Sequence, residues 1–465
     1  MRRLPIDSAL MASLASGILL ALAYPRPGFY LCAWFAFVPV LIAARQRPWR
    51  NGFIVGVVFF ALVLYWVNVV MTTFGGLNWF FSLIAYLLLS GYLALYFAFA
   101  LFFAVALRQK IHLPYYLSLP SLWIALEFVR AKLFSGFPWG LLGYSQSDNL
   151  IVAQFADMFG VYGIGFIIML VNAVIAEWLL AERVRRIELR PVLAGTVLLI
   201  LCIIGYGWFR LDNLHSGTTD ERTRVTLVQG NIAQSLKWDP AYQQVTLDTY
   251  RHLSLSPAVV TPELIIWPES ATPFYFQESN QLSRQVRDIA RDQSVHLLFG
   301  SPAYEANGEG LRYFNSAFML TPSGEISGRS DKVHLVPFGE YVPLKNILTF
   351  VDKLVVGIGE FSPGEMTPLD FDGKKAGVLV CFEGIFPELA AEYVRRGADL
   401  LVNITNDAWF GNTSAPWQHL AMTRVRAIEN RIWVARAANT GVSAFIAPSG
   451  EIIAQSGLFM EATLT

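Results

Sequence analysis

Long uncharged runs fill the first part of this chain, and they constrain its fold more than any other feature of the sequence. Nearly all of them lie in residues 1–210, whereas residues 213–465 have the mixed composition of a globular domain. With 54% hydrophobic and 15% charged residues, the chain is too apolar for an ordinary soluble protein. We therefore expect a polytopic α-helical membrane domain over residues 1–212 and a globular domain over residues 222–465.

The membrane domain divides into seven candidate spans, because about 20 apolar residues cross the hydrocarbon core of a bilayer. The first span is not interpreted as a cleavable signal peptide, since further spans follow it and no small-residue cleavage site is clear. The predicted spans lie near residues 8–24, 29–44, 52–71, 78–107, 114–131, 159–180 and 191–209.

Lysine and arginine in the short loops predict the orientation of this domain, because cytoplasmic loops carry an excess of them. Eleven of these residues fall on one side of the predicted spans and three on the other. The N-terminus is therefore expected in the cytoplasm, and seven crossings place the globular domain outside it. The eleven are Arg2, Arg3, Arg45, Arg47, Arg50, Arg108, Lys110, Arg183, Arg185, Arg186 and Arg190, and the three are Arg26, Arg130 and Lys132.

Two charged residues, Glu127 and Arg130, lie three positions apart in the fifth predicted span and share a helix face. Pairing would lower the cost of placing these charges near lipid. One interpretation is an interfacial ion pair that orients the helices. The other is a wall of a cavity through which lipid enters.

Strand and helix patterns alternate from Thr223 onward, which predicts an α/β domain with helices packed outside the sheets. The pentapeptide PSGEI occurs at 322–326 and again at 448–452, each time after an apolar run. Pro-Ser-Gly suits a tight turn, so each copy predicts a hairpin, and the two hairpins suggest a pair of related sheets. Strands are predicted within 224–232, 263–270, 294–304, 314–326, 376–384, 399–407 and 434–452, and helices at 281–293, 387–398 and 416–430.

Cys381 follows an apolar run in GVLVCFEG and is the only cysteine of the globular domain. It cannot form a disulfide within that domain, and an unpaired thiol outside the cytoplasm is a liability unless it is shielded or reactive. A buried core cysteine is the plain alternative. The strand-end position of Cys381, with Glu383 two residues later, favours a nucleophile.

A thiol nucleophile needs a base that removes its proton and donors that hold the resulting oxyanion. Glu269 ends the apolar strand LIIWPES, and a carboxylate beside apolar residues suits a general base. Lys332, in DKVHLVPFGEYVP, offers a fixed positive charge, and Glu340 follows eight residues later. These strand ends together predict a catalytic triad of Glu269, Lys332 and Cys381.

His334 is the rival base, since cysteine–histidine pairs are common, and it would share a face with Lys332 if the strand continues. We place it behind the triad. The remaining histidines form no close metal-ligand pair, so no metal or other cofactor is expected. They are His112, His215, His252, His296 and His419. A net charge of zero gives no indication of a nucleic-acid partner.

The order WPES, DKVHLVPFGEYVP and VCFEG resembles the glutamate–lysine–cysteine motifs of the nitrilase superfamily, whose fold is an α-β-β-α sandwich. Three further motifs narrow the resemblance, namely SGFPWGLLGYSQ at 135–146, QGNIAQSLKW at 229–238 and NITNDAWFG at 403–411. With them, nearly the whole chain is similar to the apolipoprotein N-acyltransferases, bacterial enzymes that add the third acyl chain to lipoproteins. The resemblance implies a nitrilase-like α-β-β-α sandwich for the globular domain.

The resemblance also implies a two-step acyl transfer. A membrane phospholipid would acylate Cys381 as a thioester, and the N-terminal amine of a diacylglyceryl-cysteine apolipoprotein would then accept the acyl chain. Glu269 would be the base and Lys332 the oxyanion group. The implied location is the bacterial inner membrane, with the catalytic domain on the periplasmic side of the bilayer. The residues with implied supporting roles are Trp238, Glu340, Phe382 and Glu383.

The chain departs from this family at two points. Many members have a tyrosine where this chain has Phe382, whose backbone N–H can still serve the oxyanion. Members usually continue into a final membrane span, and the residues EATLT at 461–465 contain no such apolar run. The apolar segment 346–359 is interpreted either as an arm that dips toward the membrane or as part of the domain's own core.

Two other functions are compatible with parts of this pattern. A membrane-anchored nitrilase-type amidohydrolase acting on a small amide would use the same triad, although a single span would suffice as its anchor. A transporter or scaffold with an inactive external domain would not need the three triad residues together. The sequence gives no indication of acyl-chain preference, headgroup, lipoprotein selectivity or oligomeric state.

Overall fold

The computed structural model describes residues 6–43, 45–216, 223–255, 261–306, 308, 310–341 and 360–465. The chain forms two compact units, one over 1–72 and 77–216 and the other over 73–76 and 217–465. The described part of the first unit is helical, and the second unit contains the strands. The apolar segment 346–359, interpreted above as a membrane arm or as part of the core, lies outside the described residues.

Helices follow one another through the first unit, joined by short turns. Its 3-10 turns are Tyr30–Trp34 and Leu142–Gln146. Its helices are α1 (Ile6–Leu22), α2 (Val38–Ala43), α3 (Pro48–Val63), α4 (Trp66–Thr73), α5 (Trp79–Lys110), α6 (Tyr115–Arg130), α7 (Leu150–Ala153), α8 (Ala156–Leu180) and α9 (Arg183–Ser216).

Helical segments coincide with each of the seven predicted spans. Among the described helices, α5, α8 and α9 are long and apolar enough to cross a membrane, and α3 with α4 forms a fourth candidate bent by 54°. The predicted span 29–44 is divided between a 3-10 turn and α2, because Pro39 is tolerated only in the first turn of a helix. Membrane crossing by this segment, by α1 and by α6 stays a prediction.

Two glycines of α3 bring this helix close to α5. A Cβ atom on Gly52 would lie 2.6 Å from the carbonyl oxygen of Phe97, and one on Gly56 would lie 2.6 Å from Cα of Ala94. Small residues four positions apart are typical of helix contacts in membranes, where they let two backbones approach. A larger side chain at either glycine would therefore push the two helices apart.

Glu127 and Arg130 of α6 are paired as predicted, with 3.9 Å between Arg130 Nη2 and Glu127 Oε1. Both side chains are buried. Arg130 donates hydrogen bonds to the carbonyl oxygens of Trp139 at 2.7 Å and Gly140 at 3.3 Å, and Glu127 accepts one from the Leu142 N–H at 2.7 Å. The pair thus holds the following loop against α6, which supports the ion-pair interpretation over a cavity wall.

Two six-stranded sheets form the centre of the second unit. Their strands are β1 (Val225–Gln229), β2 (Leu264–Ile266), β3 (His296–Ala306), β4 (Leu311–Leu320), β5 (Ile326–Asp331), β6 (Leu369–Phe371), β7 (Lys374–Val380), β8 (Leu400–Thr405), β9 (Trp433–Ala438), β10 (Ala444–Ile446), β11 (Ile452–Gln455) and β12 (Ala462–Leu464). The first sheet has the order β12-β1-β2-β3-β4-β5 and the second the order β11-β10-β9-β8-β7-β6. In each sheet three neighbouring strands are parallel, β1-β2-β3 in one and β7-β8-β9 in the other.

Helices cover the outer faces of both sheets. Leu264 and Ile266 of β2 pack between the sheets, against residues of β7 and β8, whereas Ile265 packs outward against helices α11 (Gln243–Ser254) and α12 (Gln281–Gln293). On the other side, Leu379 of β7 packs outward against α13 (Pro387–Arg395) and α14 (Ala415–Asn430). This alternation produces four layers and confirms the predicted α-β-β-α sandwich. The helices of this unit are α10 (Gln234–Lys237), α11 (Gln243–Ser254), α12 (Gln281–Gln293), α13 (Pro387–Arg395) and α14 (Ala415–Asn430).

Both copies of PSGEI form the predicted hairpins, one in each sheet. β4 pairs antiparallel with β5 through the first copy, and β10 pairs with β11 through the second. Gly324 has φ +77° and Gly450 has φ +82°, a left-handed backbone that glycine adopts without strain. The predicted helices correspond to α12, α13 and α14, while α11 and the three-residue strands β6 and β12 were not predicted.

Candidate active site

Cys381 stands where β7 gives way to a 3-10 turn, Cys381–Ile385. Its φ of +53° lies in the left-handed region, which residues with a side chain rarely adopt. Such strain persists only where the surroundings hold the backbone in place, and it is common at functional sites. The thiol therefore lies at a sharp, constrained change of chain direction at the carboxyl end of β7 in the second sheet.

Lys332 directly follows β5 of the first sheet and is almost completely buried. Its Nζ atom lies 3.0 Å and 2.9 Å from the two carboxylate oxygens of Glu340 and 3.9 Å from Oε1 of Glu269. Burial opposes the charge, but Glu340 and Glu269 raise the pKa of Lys332 well above its ordinary value. The ammonium is therefore a fixed positive charge, paired mainly with Glu340.

Glu269 follows β2 and is held by donors from both sheets. Its Oε1 accepts a hydrogen bond from Asn315 Nδ2 at 2.8 Å, and its Oε2 accepts one from the Asn406 N–H at 2.9 Å. The same Asn315 nitrogen lies 2.9 Å from Glu340 Oε1, so one amide joins the two carboxylates. Glu340 thus takes up most of the lysine's charge, and Glu269 remains free of a close ion pair, which suits a base.

The charges of this cluster act on the Cys381 thiol. Burial raises the pKa of Cys381 well above its ordinary value and the charge of Glu269 raises it further, while Lys332 and a hydrogen bond with Thr405 oppose the rise. The resting group is therefore the neutral thiol, not the thiolate. A nucleophile in this state needs a base that takes its proton during the reaction.

Glu383 connects the two segments that carry Lys332 and Cys381. Its Oε1 accepts hydrogen bonds from the N–H groups of Val333 at 2.7 Å and His334 at 3.0 Å, and its Oε2 accepts one from Val380 at 2.8 Å. Burial raises the pKa of Glu383 to about 7, against the opposing effects of Lys332 and of these hydrogen bonds. Its position indicates a positioning role.

The other predicted residues lie around this cluster. Trp238 directly follows α10 and lines a cavity of about 810 Å³ together with Gln234 and Tyr275. Phe382 is buried, and its ring lies 5.2 Å from that of Phe386. The His334 ring lies against the Phe386 ring, with 3.8 Å between centroids and the ring planes tilted by 37°. Its placement behind the triad stays a prediction.

Lys237 is a site residue that the sequence reasoning missed. It is 1% exposed, and its Nζ donates a hydrogen bond to the carbonyl oxygen of Glu269 at 2.9 Å. Burial lowers the pKa of Lys237 to about 8, against the raising effects of Glu269 and Cys381. Its place in the motif QGNIAQSLKW, directly before Trp238, was the only signal available.

A buried polar network beneath Cys381 was also missed. It extends from the end of β8 to α14 and β9, and its members are Asn403, Thr405, Asp407, His419 and Arg436. The motif NITND contains three of them, but the sequence alone gave them no roles. Among the described residues, no group of three or more histidine, cysteine, aspartate or glutamate side chains is placed to bind a metal ion.

A glutamate, a lysine and a cysteine gathered at one end of an α-β-β-α sandwich define a carbon–nitrogen hydrolase, and the model of that family matches residues 224–465. A second model, the apolipoprotein N-acyltransferase N-terminal domain, matches residues 16–174. An apolipoprotein N-acyltransferase from Geobacter metallireducens is 46% identical over 99% of this chain and 89% of its own length. The chain belongs to the apolipoprotein N-acyltransferase family, and it is a membrane acyltransferase.

A second relative of the same family is also similar to nearly the whole chain. An apolipoprotein N-acyltransferase from Methylococcus capsulatus is 36% identical over 98% of this chain and 89% of its own length. Among solved structures, a mutant amidase of the nitrilase superfamily from Nesterenkonia AN1 aligns with 53% of this chain and 90% of its own, at 22% identity and a TM-score of 0.41. The family membership argues against the alternative of a transporter or scaffold with an inactive domain.

Proposed function

We propose that this enzyme moves a fatty acyl chain from a membrane phospholipid, through a thioester on Cys381, to the N-terminal amine of a diacylglyceryl-cysteine lipoprotein. One observation carries the mechanism. Lys332 is paired closely with Glu340, at 2.9 Å, and only loosely with Glu269, at 3.9 Å. This arrangement leaves one carboxylate able to accept a proton beside a fixed positive charge.

In the first step, Glu269 takes the proton of the Cys381 thiol while the sulfur attacks the ester carbonyl of the phospholipid. The oxyanion that forms is stabilised by the Lys332 ammonium and by the Phe382 N–H. When the tetrahedral intermediate collapses, the ester C–O bond breaks. The departing lysophospholipid oxygen takes the proton from Glu269 and leaves as a hydroxyl, so the charges in the site are restored.

In the second step, the neutral α-amine of the lipoprotein attacks the thioester carbonyl, and Glu269 accepts a proton from the amine nitrogen. The same two donors stabilise the second oxyanion. The C–S bond then breaks, an amide remains on the lipoprotein, and the sulfur recovers its proton from Glu269. Because the first product leaves before the acceptor reacts, ping-pong kinetics are expected.

Both substrates are lipids held in the bilayer, which accounts for a membrane domain over residues 1–212 joined to a catalytic domain over residues 222–465. We place the enzyme in the bacterial inner membrane with the catalytic domain on the periplasmic side, on the basis of the charge bias of its loops. A thiol-labelling reagent that cannot cross the membrane should reach a cysteine introduced in the loop 45–50 only after permeabilisation. Labelling of that loop in intact spheroplasts would show that the orientation is the reverse of the proposed one.

The test of the chemistry is to trap the acyl-enzyme. Enzyme incubated with phospholipid and no lipoprotein should gain the mass of one acyl chain on Cys381, and neutral hydroxylamine should release it, since thioesters are more labile to hydroxylamine than oxygen esters. A peptide with an N-terminal diacylglyceryl-cysteine should discharge the adduct onto its amine. Cys381→Ala should form no adduct, whereas the control Cys202→Ala should behave as the native enzyme. An adduct on another residue would refute the proposal.

A further inference from the structure

The peptide group between Cys381 and Phe382 connects the nucleophile to the expected oxyanion donor. Its carbonyl oxygen belongs to Cys381 and its N–H to Phe382, and the two point in opposite directions because a trans peptide is planar. Anything that fixes the direction of the Cys381 carbonyl therefore also fixes the direction of the Phe382 N–H. This group has to be held, since the φ of Cys381 is +53° and unfavourable by itself.

Two side chains hold the Cys381 carbonyl oxygen from beneath. His419 Nε2 lies 3.1 Å from it, and Asn403 Nδ2 lies 3.3 Å from it. A carbonyl oxygen only accepts hydrogen bonds, so Nε2 of His419 must carry a proton. Both the neutral ring with its proton on Nε2 and the doubly protonated ring meet this condition. Asn403 also donates to the Leu379 carbonyl at 2.8 Å, so its amide is shared between two carbonyls, whereas the Nε2–H of His419 contacts the Cys381 carbonyl.

The other side of the His419 ring is held by a buried ion pair. Its Nδ1 lies 3.1 Å from Asp407 Oδ1 and 3.2 Å from Arg436 Nη2, and Arg436 Nη2 lies 2.7 Å from Asp407 Oδ2. All three side chains are at most 1% exposed. Burial and then the charge of Arg436 lower the pKa of His419, against the effect of Asp407, so a neutral ring with its proton on Nε2 can accept a hydrogen bond from Arg436 at Nδ1. The ring therefore has one orientation.

We propose that His419 is a positioning residue for the oxyanion hole. It holds the Cys381–Phe382 peptide so that the Phe382 N–H faces the acyl oxyanion, and Asp407 and Arg436 orient its ring. The inference rests on the proposed role of Cys381 as nucleophile. It goes beyond that role because His419 acts on the Cys381 carbonyl and not as a group of the proposed triad. A hydrogen bond to the carbonyl also polarises the amide, which makes its N–H a better donor.

The proposal separates two reactions of the same thiol. Acylation by phospholipid passes through an oxyanion and needs the Phe382 N–H, whereas alkylation by iodoacetamide is a displacement at carbon with no oxyanion. Loss of the His419 donor should therefore slow acylation and leave alkylation unchanged. A merely structural role would change both reactions or neither. The measurements use the full-length enzyme with Cys32 and Cys202 replaced by alanine, so that Cys381 is its only thiol.

His419→Leu should lower the single-turnover acylation rate by about 10- to 100-fold, less than the 10²- to 10³-fold loss of a complete oxyanion donor, and KM for phospholipid should stay unchanged. Iodoacetamide alkylation of Cys381 should stay within about twofold of the native rate. His419→Gln, whose amide nitrogen reaches the position of Nε2, should restore most of the acylation. The matched control is His296→Leu, since His296 is a partly buried histidine of β3 and far along the chain from this network.

A second pair of variants covers the case in which leucine at position 419 prevents folding. His419→Asn keeps a polar side chain but is too short to reach the carbonyl, so it should be slow where His419→Gln is active. Native acylation in folded His419→Leu or His419→Asn would overturn the proposal, and so would a parallel fall of alkylation. If the native enzyme forms no adduct on Cys381, the proposed function fails first and this inference fails with it.

Discussion

Replacing Lys332 by methionine removes the positive charge that two carboxylates share and keeps the unbranched shape of the side chain. With the ammonium gone, Glu269 and Glu340 remain side by side, joined through a single nitrogen of Asn315 at 2.8 Å and 2.9 Å. Like charges this close do not both stay ionised, so one of the carboxylates takes up a proton. The site then loses the cation that stabilises the oxyanion, and it also loses part of the ionised carboxylate that acts as the base.

The magnitude follows from the distances. We take an effective dielectric constant of about 20. Lys332 and Glu340 then attract each other by about 5.5 kcal/mol across 3.0 Å, and Lys332 and Glu269 by about 4.3 kcal/mol across 3.9 Å. Desolvation of the lysine offsets much of this attraction, and removing one partner of a buried ion pair typically costs about 3–5 kcal/mol. We therefore expect Lys332→Met to lower the unfolding midpoint by about 6–20 °C.

Two variants separate stability from catalysis. Lys332→Met should lower the single-turnover acylation rate by at least about 10³-fold, since an oxyanion donor alone is worth about 10²- to 10³-fold. Adding Glu340→Gln removes the excess negative charge, so the double variant should recover most of the lost thermal stability and the part of the rate that was lost with the base. It should stay at least about 10²-fold below the native rate, because the oxyanion donor is still missing. The unfolding midpoint is measured by intrinsic fluorescence in detergent micelles, and acylation is measured by intact mass.

Either of two results would refute this reasoning. Acylation within tenfold of the native rate in Lys332→Met would show that the ammonium is not an oxyanion group. Recovery of acylation to the native rate in the double variant would show that Lys332 acts only by neutralising Glu340. Lys332→Arg is the matched control, because it retains the charge and should keep the midpoint closer to native than methionine does.

Three further predictions concern the groups around the triad. Glu269→Gln should abolish acylation with the fold intact, because only proton acceptance is lost, whereas His334→Ala should retain turnover. An inactive His334→Ala with an active Glu269→Gln would favour the cysteine–histidine alternative. Lys237→Met should slow acylation more than Lys237→Arg does, since only the arginine keeps a cationic donor to the Glu269 carbonyl, and equal rates in the two variants would contradict this. Burial alone would raise the pKa of Asp407, but the charge of Arg436 and the contacts of its carboxylate with His419 and Thr405 hold it at about 2, so the stability from its ionised form is complete above about pH 4 and is lost as the pH falls toward 2. Acid unfolding of Asp407→Asn should therefore depend less on pH in that range than acid unfolding of the native enzyme.

The sequence was most informative where the chemistry follows a strand directly. Glu269 and Cys381 each come after an apolar run, and Lys332 follows the hairpin of the first PSGEI copy. Strand ends on one side of a sandwich meet in space, so the proximity of these residues could be predicted from their order. The PSGEI turns were similarly local, since a proline and a glycine at set positions determine the hairpin. The seven helical regions were predictable from apolar runs, but the break between α3 and α4 leaves no comparable signal in composition.

The buried network was not predictable because it depends on which face of a strand a side chain occupies. Arg436 lies in VARAANTG, where a charge between alanines is ordinarily read as pointing toward solvent. In the structure its guanidinium is fully buried and its Nε donates to the Val442 carbonyl at 3.2 Å. His419 lies in α14, where polar and apolar side chains alike are buried on most sides of the helix, and only the tertiary fold directs its ring beneath Cys381.

The pairing of β1 with β12 has a consequence for how the catalytic domain folds. Gln229 of β1 donates hydrogen bonds to the carbonyl oxygens of Gly457 and Met460, and the last of these contacts joins residues 231 positions apart. Closing so long a loop costs entropy before its contacts contribute stability, and contacts of this kind slow folding. β1, which is synthesised early, therefore cannot complete its pairing until β12 has been synthesised. A nascent domain has an open sheet edge throughout that interval, and a chaperone that covers this edge would protect it from aggregation.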